Sequence, residues 1–256
     1  MSDQVYYNKG FSKVISDTHA WRTVENAVPY IIPYLNKSQK LLDVGCGPGT
    51  ILKDLGNYVG EVIGIEPTAE LIDISKAQEN LPENVHFQIG LAYEIPFEDN
   101  SFDVVHALQV IVHLADPAKA LREMLRVCKK DGYVCVKDGD LDSTVVYPEK
   151  YADVILNAIS HRPTTLMIAG RLLKERALTA GYSADKMTMS GLVWYISSAE
   201  QRKKQYDMMR PRIEKGYEVT EHSKYDKKTV VDTLEKWAND DAAVLIFVSG
   251  ELVYRK

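Results

Sequence analysis

The run Leu41-Leu42-Asp43-Val44-Gly45-Cys46-Gly47-Pro48-Gly49-Thr50 constrains this chain more than any other stretch. An apolar segment ends in three alternating glycines and passes at once into helical spacing. It reads as a buried strand, a tight turn and a helix, the opening of a βαβ unit. Glycine allows a sharp backbone turn and lets a ligand approach the main chain where a Cβ would otherwise stand. The spacing is G-x-G-x-G. A dinucleotide fingerprint is G-x-G-x-x-G and would want its third glycine where Thr50 stands.

A carboxylate supports the same site. Glu66 closes the next apolar run, roughly 20 residues beyond the turn, where a second parallel strand comes alongside the first. From there it can accept hydrogen bonds from both hydroxyls of a ribose. A glycine turn alone is usually only a turn, and a strand-end glutamate alone is usually solvated. The ordered pair points to a nucleoside-bearing ligand.

The alternation continues. Strand patterns fall at 40–44, 61–66, 85–89, 102–108 and 133–137, with helical spacing at 50–58, 68–78 and 117–128. Thr68 and Asp116 are placed as N-caps, and Pro117 fits the first helical position, where its missing N–H costs nothing. Leu121, Met124, Leu125 and Cys128 form one buried stripe. Such alternation predicts a parallel sheet covered by helices. Right-handed crossovers then gather the loops after the strands along one edge, where a ligand belongs. Further helices are predicted at 17–35, 148–161, 169–180 (stopped by Gly181), 201–215 and 228–239, and strands at 187–196 and 243–254.

LDVGCGPGT, GIEPTAELI and PFEDNSFDVVHALQVIVHLADPAKALREMLRVCKKDGYVCV together resemble a class I S-adenosylmethionine-dependent methyltransferase. The similarity is to the small-molecule branch that includes quinone-biosynthesis enzymes. It extends to HAWRTVENAVPYIIPYL and VSGELVYRK, so it covers nearly the whole chain, and it is strongest over the first half. It implies an α/β fold: a Rossmann-like seven-stranded sheet with helices on both faces and an N-terminal helix. In such folds the last two strands form a hairpin; here about 45 residues separate them, which predicts a helical lid at about 198–240. The chain is expected to form a single domain over 1–256. Cap helices would occupy 1–36, a cofactor-binding half 37–142 and a substrate-side half 143–256.

The resemblance also assigns roles. S-adenosylmethionine would be the cofactor and S-adenosylhomocysteine the product. The loop residues Gly45, Cys46, Gly47 and Gly49 would meet the cofactor through the main chain, with Asp43 bracing them and reaching the amino group through water. Glu66 would hold the ribose and Pro67 would pack on the adenine. Gly90-Leu91-Ala92 stands where many relatives carry Gly-Asp-Ala, so Leu91 replaces the acid that accepts from the adenine amino group, leaving Ala92 its main-chain N–H. Gln109 would face the methionine moiety. Arg22 would pair with its carboxylate, with Tyr7 closing above; the competing reading of Arg22 is a solvated surface residue.

His113 is the first base candidate, in the context H-x-x-D-P with Asp116 and Pro117. An unperturbed pKa of roughly 6.5 suits proton removal near neutrality. It can equally cap a helix or bond a carbonyl. His106, inside an apolar strand, reads as a core histidine. Asp138 and Asp140 follow the fifth strand, and Asp140 is a second catalytic candidate, with loop capping as its alternative. Tyr147, Arg171, Trp194 and Tyr195 are placed on the acceptor side, where aromatics with a polar tip suit a flat or amphipathic molecule. The basic groups around Arg202-Lys203-Lys204 and Lys224…Lys228 read as solvated helix faces.

Composition narrows the function. Hydrophobic and charged contents of 45% and 26% are those of an ordinary globular protein. A net charge of −5 offers no field for nucleic acid. The three cysteines lack metal-ligand or disulfide spacing, so no metal is expected and a reducing, cytoplasmic setting is. No apolar run approaches the 18 or so residues of a membrane span, and the first residues lack a signal-peptide pattern. The reading is a methyltransferase acting on O, N or C of a small-molecule acceptor, the lid disfavouring protein substrates. Two alternatives stand beside it: a non-catalytic binding partner with this fold, and an NAD-dependent oxidoreductase. No sequence feature specifies an oligomeric state.

Overall fold

The computed structural model describes residues 21–160, 166–216 and 224–256. β1 (Lys40–Val44), β2 (Glu61–Glu66), β3 (Val85–Ile89) and β4 (Phe102–Leu108) are parallel, and β5 (Cys128–Tyr147) continues them. β6 (Met187–Ile196) and β7 (Val244–Arg255) complete the sheet antiparallel, in the order β3-β2-β1-β4-β5-β7-β6. Alternate side chains of one strand serve opposite faces. Leu42, Ile63, Val105 and Val136 belong to one core, and Leu41, Val62, Val104 and Cys135 to the other.

Against the second face lie α1 (Val24–Ala27), α2 (Thr50–Leu55) and α3 (Ala69–Lys76), through Val24, Ile51, Leu55 and Ile72. Against the first lie α4 (Pro117–Val127) and α6 (Ala169–Thr179), through Leu121, Met124, Leu173 and Ala177. The Asp116 carboxylate caps α4 by accepting from Lys119 N at 3.0 Å, and Pro117 occupies its first turn. Thr68 occupies the N-cap of α3 but makes no side-chain cap bond. The segment expected as one helix over 17–35 is, in its described part, the short α1 followed by a 3-10 turn, Pro29–Tyr34. Pro29 and Pro33 remove the donors a continuous helix would need, while a Thr23–Asn26 capping box closes α1.

β5 is much longer than the predicted 133–137. Its partner β4 ends where Leu108 meets Lys137. From Asp138 to Tyr147, β5 runs on past the carboxyl edge for about 30 Å at the usual rise per residue. This overhang, with β7 and β6 beside it, carries α5 (Glu149–Ser160) and two helices inserted before β7, α7 (Ala199–Gly216) and α8 (Lys227–Ala238). They share a third core of Val146, Ile155, Ile196, Met209, Leu234 and the fully buried Trp237. Arg202 departs from the expected solvated face. It is buried, donating from Nε to Ala238 O at 3.1 Å and from Nη2 to Asp241 Oδ1 at 3.0 Å, and bonding Ser197 O. It ties α7 to the end of α8. Lys203 and Lys228 form exposed i,i+4 pairs with Asp207 and Asp232.

α6 meets the sheet unusually closely. A Cβ on Gly170 would stand 2.8 Å from both Asp138 O and Gly250 N, and one on Gly250 would overlap the Gly170 carbonyl.

Candidate active site

The glycine turn leaves β1 with φ of +71° at Gly45, +54° at Gly47 and +76° at Gly49, a region that favours glycine. Gly45 N and Cys46 N donate to Ile65 O at 2.8 and 3.0 Å, anchoring the loop to β2. A Cβ on Gly45 would stand 2.5 Å from Val110 Cγ2, and one on Gly49 would stand 2.6 Å from the Phe87 ring. At Gly47 a Cβ would meet nothing within 4 Å. Two glycines are therefore held for packing, and the middle one turns its main chain to open space.

Glu66 sits against that opening. Its Oε2 accepts from Gly47 N at 3.2 Å and its Oε1 from Thr68 N at 3.1 Å, and the residue is 5% exposed. Burial raises its pKa, opposed by these bonds and reinforced by the nearby charge of Asp43. Asp43, also 5% exposed, has its Oδ1 2.6 Å from His106 Nδ1. The Cys46 thiol is pushed well up by burial and by both carboxylates, the opposite of what activates a thiolate nucleophile.

The other predicted residues take the following places. Pro67 and Leu91 are half-buried beside the loops after β2 and β3, and Ala92 is buried. Gln109 follows β4 with φ +57°; its N–H donates to Lys137 O at 2.8 Å, and its amide lies 3.4 Å from where a Gly139 Cβ would be. His113, half-buried, closes the 3-10 turn Ile111–His113, its N–H donating to Val110 O at 3.0 Å. Asp140 is held by both oxygens: Arg171 Nε and Nη2 each reach it at 2.6 Å. The two residues expected separately on the acceptor side are thus one bidentate ion pair. Arg22 is half-buried, near enough to Lys137 to add to the burial that lowers that amine's pKa, while Tyr7 lies outside the described residues.

On the overhang, Trp194 stacks on Phe247 at 5.6 Å, and Trp21 packs edge-on against Trp194 at 4.9 Å. Tyr147 and Tyr195 are more than half exposed, and the Tyr147 carbonyl accepts from Trp237 Nε1 at 3.2 Å.

Sequence reasoning left the surroundings of three buried polar groups undefined. Lys137 Nζ donates to Ala27 O at 2.7 Å and lies 3.1 Å from Glu251 Oε1, while Ser190 Oγ donates to Glu251 Oε2 at 2.8 Å. Asp138 is fully buried with no hydrogen bond to either oxygen; burial pushes its carboxyl up to about 8, against the pull of the Val112 backbone and Arg176. His106, read as a core histidine, is paired to Asp43 through Nδ1, with Nε2 buried and unpartnered. The available signal was a charged residue interrupting an apolar strand, which does not say what the residue faces.

No helix among the described residues is long and apolar enough to cross a membrane. A parallel sheet closed by an antiparallel β7–β6 pair, with the glycine loop after β1 and an acid ending β2, defines the class I methyltransferase fold. Solved structures share it: the YcgJ protein of Bacillus subtilis superposes with TM-score 0.56 at 21% identity, over 91% of this chain and 99% of that one. A phosphoethanolamine N-methyltransferase of Haemonchus contortus, holding phosphomonomethylethanolamine and S-adenosylhomocysteine, gives TM-score 0.56 at 16% identity over 98% of this chain and 60% of its own.

Residues 42–136 match the sequence pattern of a methyltransferase domain. An uncharacterized methyltransferase of Schizosaccharomyces pombe is 38% identical over 278 residues, spanning 100% of this chain and 98% of its own. The chain belongs to the S-adenosylmethionine-dependent methyltransferase family. A demethylmenaquinone methyltransferase of Staphylococcus aureus is 36% identical over 122 residues, 46% of this chain and 50% of that one.

Proposed function

We propose that this chain binds S-adenosylmethionine in the Gly45–Gly49 loop and transfers its methyl group to an O, N or C atom of a small-molecule acceptor. The observation that carries the cofactor site is the Glu66 carboxylate, fixed by Gly47 N and Thr68 N beside the uncovered Gly47 backbone. Each oxygen keeps acceptor capacity beyond those two bonds, which suits a ribose diol.

The same geometry disfavours a dinucleotide. A pyrophosphate would need the loop's N–H groups, but Gly47 N is given to Glu66, and Asp43 adds a second negative charge nearby. Two carboxylates favour a ligand carrying cationic ammonium and sulfonium groups.

When bound, S-adenosylmethionine supplies an already activated methyl group, so the protein's work is alignment, exclusion of water and proton removal. Gln109 and the Val110 turn flank the methionine end, with Pro67, Leu91 and Ala92 around the adenine. His113, rather than Asp140, takes the acceptor's proton where one must leave, because Arg171 already engages both oxygens of Asp140. Trp21, Trp194 and Phe247 form an aromatic wall for the acceptor under α7 and α8. α7 and α8, packed as a unit over the overhang, would limit access to a small acceptor, in one domain with its lid.

Calorimetric titration with S-adenosylhomocysteine tests the cofactor site. Glu66→Ala should weaken binding by about 1–3 kcal/mol, the scale for losing hydrogen bonds to a charged acceptor. Unchanged affinity would remove the ribose assignment. Tighter binding of NADH than of S-adenosylhomocysteine by the unaltered protein would restore the oxidoreductase reading.

A further inference from the structure

We infer that His106 is a positioning residue for the cofactor's amino-acid end: its Nδ1–H holds the Asp43 carboxylate in place beside the glycine loop. This rests on the cofactor site proposed above.

The two residues lie directly opposite each other on the neighbouring central strands β1 and β4, and on the same face. Around them that face is apolar, with Leu41, Val104, Cys135 and Val253. An acid and an imidazole at 5% and 0% exposure are a costly filling for such a place. Apolar side chains of similar size there would commonly leave a fold as stable or more so. The packing alone gives no reason for the pair.

The hydrogen-bond pattern gives one. Nδ1 lies 2.6 Å from Asp43 Oδ1, whereas Nε2 is buried and makes no hydrogen bond. A proton on Nε2 would be buried without an acceptor, so the ring's proton belongs on Nδ1, donated to Asp43. Donation fixes the carboxylate's rotamer. Asp43 stands two residues before Gly45, and its charge is felt at both Cys46 and Glu66. Among the described residues, neither Asp43 nor Glu66 is paired with a lysine or arginine. The loop therefore presents an uncompensated negative charge whose direction is set by His106, and the ligand group it complements is an ammonium.

The test separates the amino-acid end from the nucleoside end. S-adenosylhomocysteine and 5′-methylthioadenosine share the nucleoside and sulfur, but only the first carries the amino acid. Calorimetric titration of both is compared for the unaltered protein, His106→Asn and His106→Leu, with thermal unfolding recorded alongside. Asparagine keeps a donor near the Nδ1 position; leucine keeps bulk without it.

His106→Leu should bind S-adenosylhomocysteine about tenfold or more weakly, the scale for removing a residue that orients a ligand-binding group. Its affinity for methylthioadenosine should be unchanged, and His106→Asn should bind both nearly as the unaltered protein does. Equal losses for the two ligands, or no loss for either, would overturn the assignment. Should the leucine variant fail to fold, His106→Ala, measured alone and in an Asp43→Asn background, decides. Effects that merge support action through Asp43, and effects that simply add refute it. If the unaltered protein binds neither ligand, the cofactor site itself has failed, a result distinct from all of these.

Discussion

At the scale of single residues, Asp138 leads to a pH dependence. Its carboxyl is pushed up to about 8 by burial, whereas an unfolded chain releases that proton near pH 4. Between those values the native state holds a proton that the unfolded state has lost, so stability falls as pH rises and levels off above about 8. Asp138→Asn should flatten this slope, gaining on the unaltered protein between pH 5 and 9 in urea unfolding. Parallel curves would mean that the carboxyl is not protonated in the folded protein. Asp138 also marks the boundary of what residues reveal in sequence. Gly45, Gly47 and Glu66 were legible because a strand–turn–helix and the end of the next strand give them meaning by order alone. The surroundings of Asp138, Lys137 and His106 were not, because the groups that face them, Arg176, Glu251 and Asp43, are brought near by strand pairing and helix packing rather than by spacing along the chain.

At the scale of elements, the strands were legible where alternation or continuous apolar character was clean, as in β1, β2 and β4. β5 was not. Its overhanging part, Asp138–Tyr147, includes Asp140, Asp142, Ser143 and Thr144, which read as a loop. That segment is kept in the sheet by pairing with β7, whose register shifts between Asp140 and Val145. The 17–35 segment failed in the opposite sense, since apolar spacing suggested a helix that two prolines interrupt. The close seat of α6 leads to a further prediction. Alanine at Gly250 would drive its methyl into the Gly170 carbonyl, a backbone atom that cannot turn aside. Gly250→Ala should cost about 1–3 kcal/mol, the range for overpacking, measured as a lower urea midpoint with unchanged slope. An unaltered midpoint would mean that α6 shifts without penalty.

At the scale of the whole molecule, three cores share one sheet. Two lie on opposite faces of its parallel half, and the third lies on the overhang beneath α5, α7 and α8. Trp237 fills the third, with its indole N–H on the Tyr147 carbonyl. Trp237→Ala should cost about 3–5 kcal/mol. Hydrogen exchange should show the loss confined to α5, α7 and α8, with β1–β4 still protected. Uniform loss of protection would make the three cores a single cooperative unit. The overhang has a mechanical consequence as well. β6 and β7 stay paired without a slip from Met187 beside Tyr254 to Ile196 beside Leu245, so the platform under α7 and α8 is a cantilever built into the main sheet. Swinging one half against the other would shear a continuous ladder of main-chain bonds. A hinge between the halves is therefore costly, and α7 and α8 can part from this beam only by repacking the side chains beneath them.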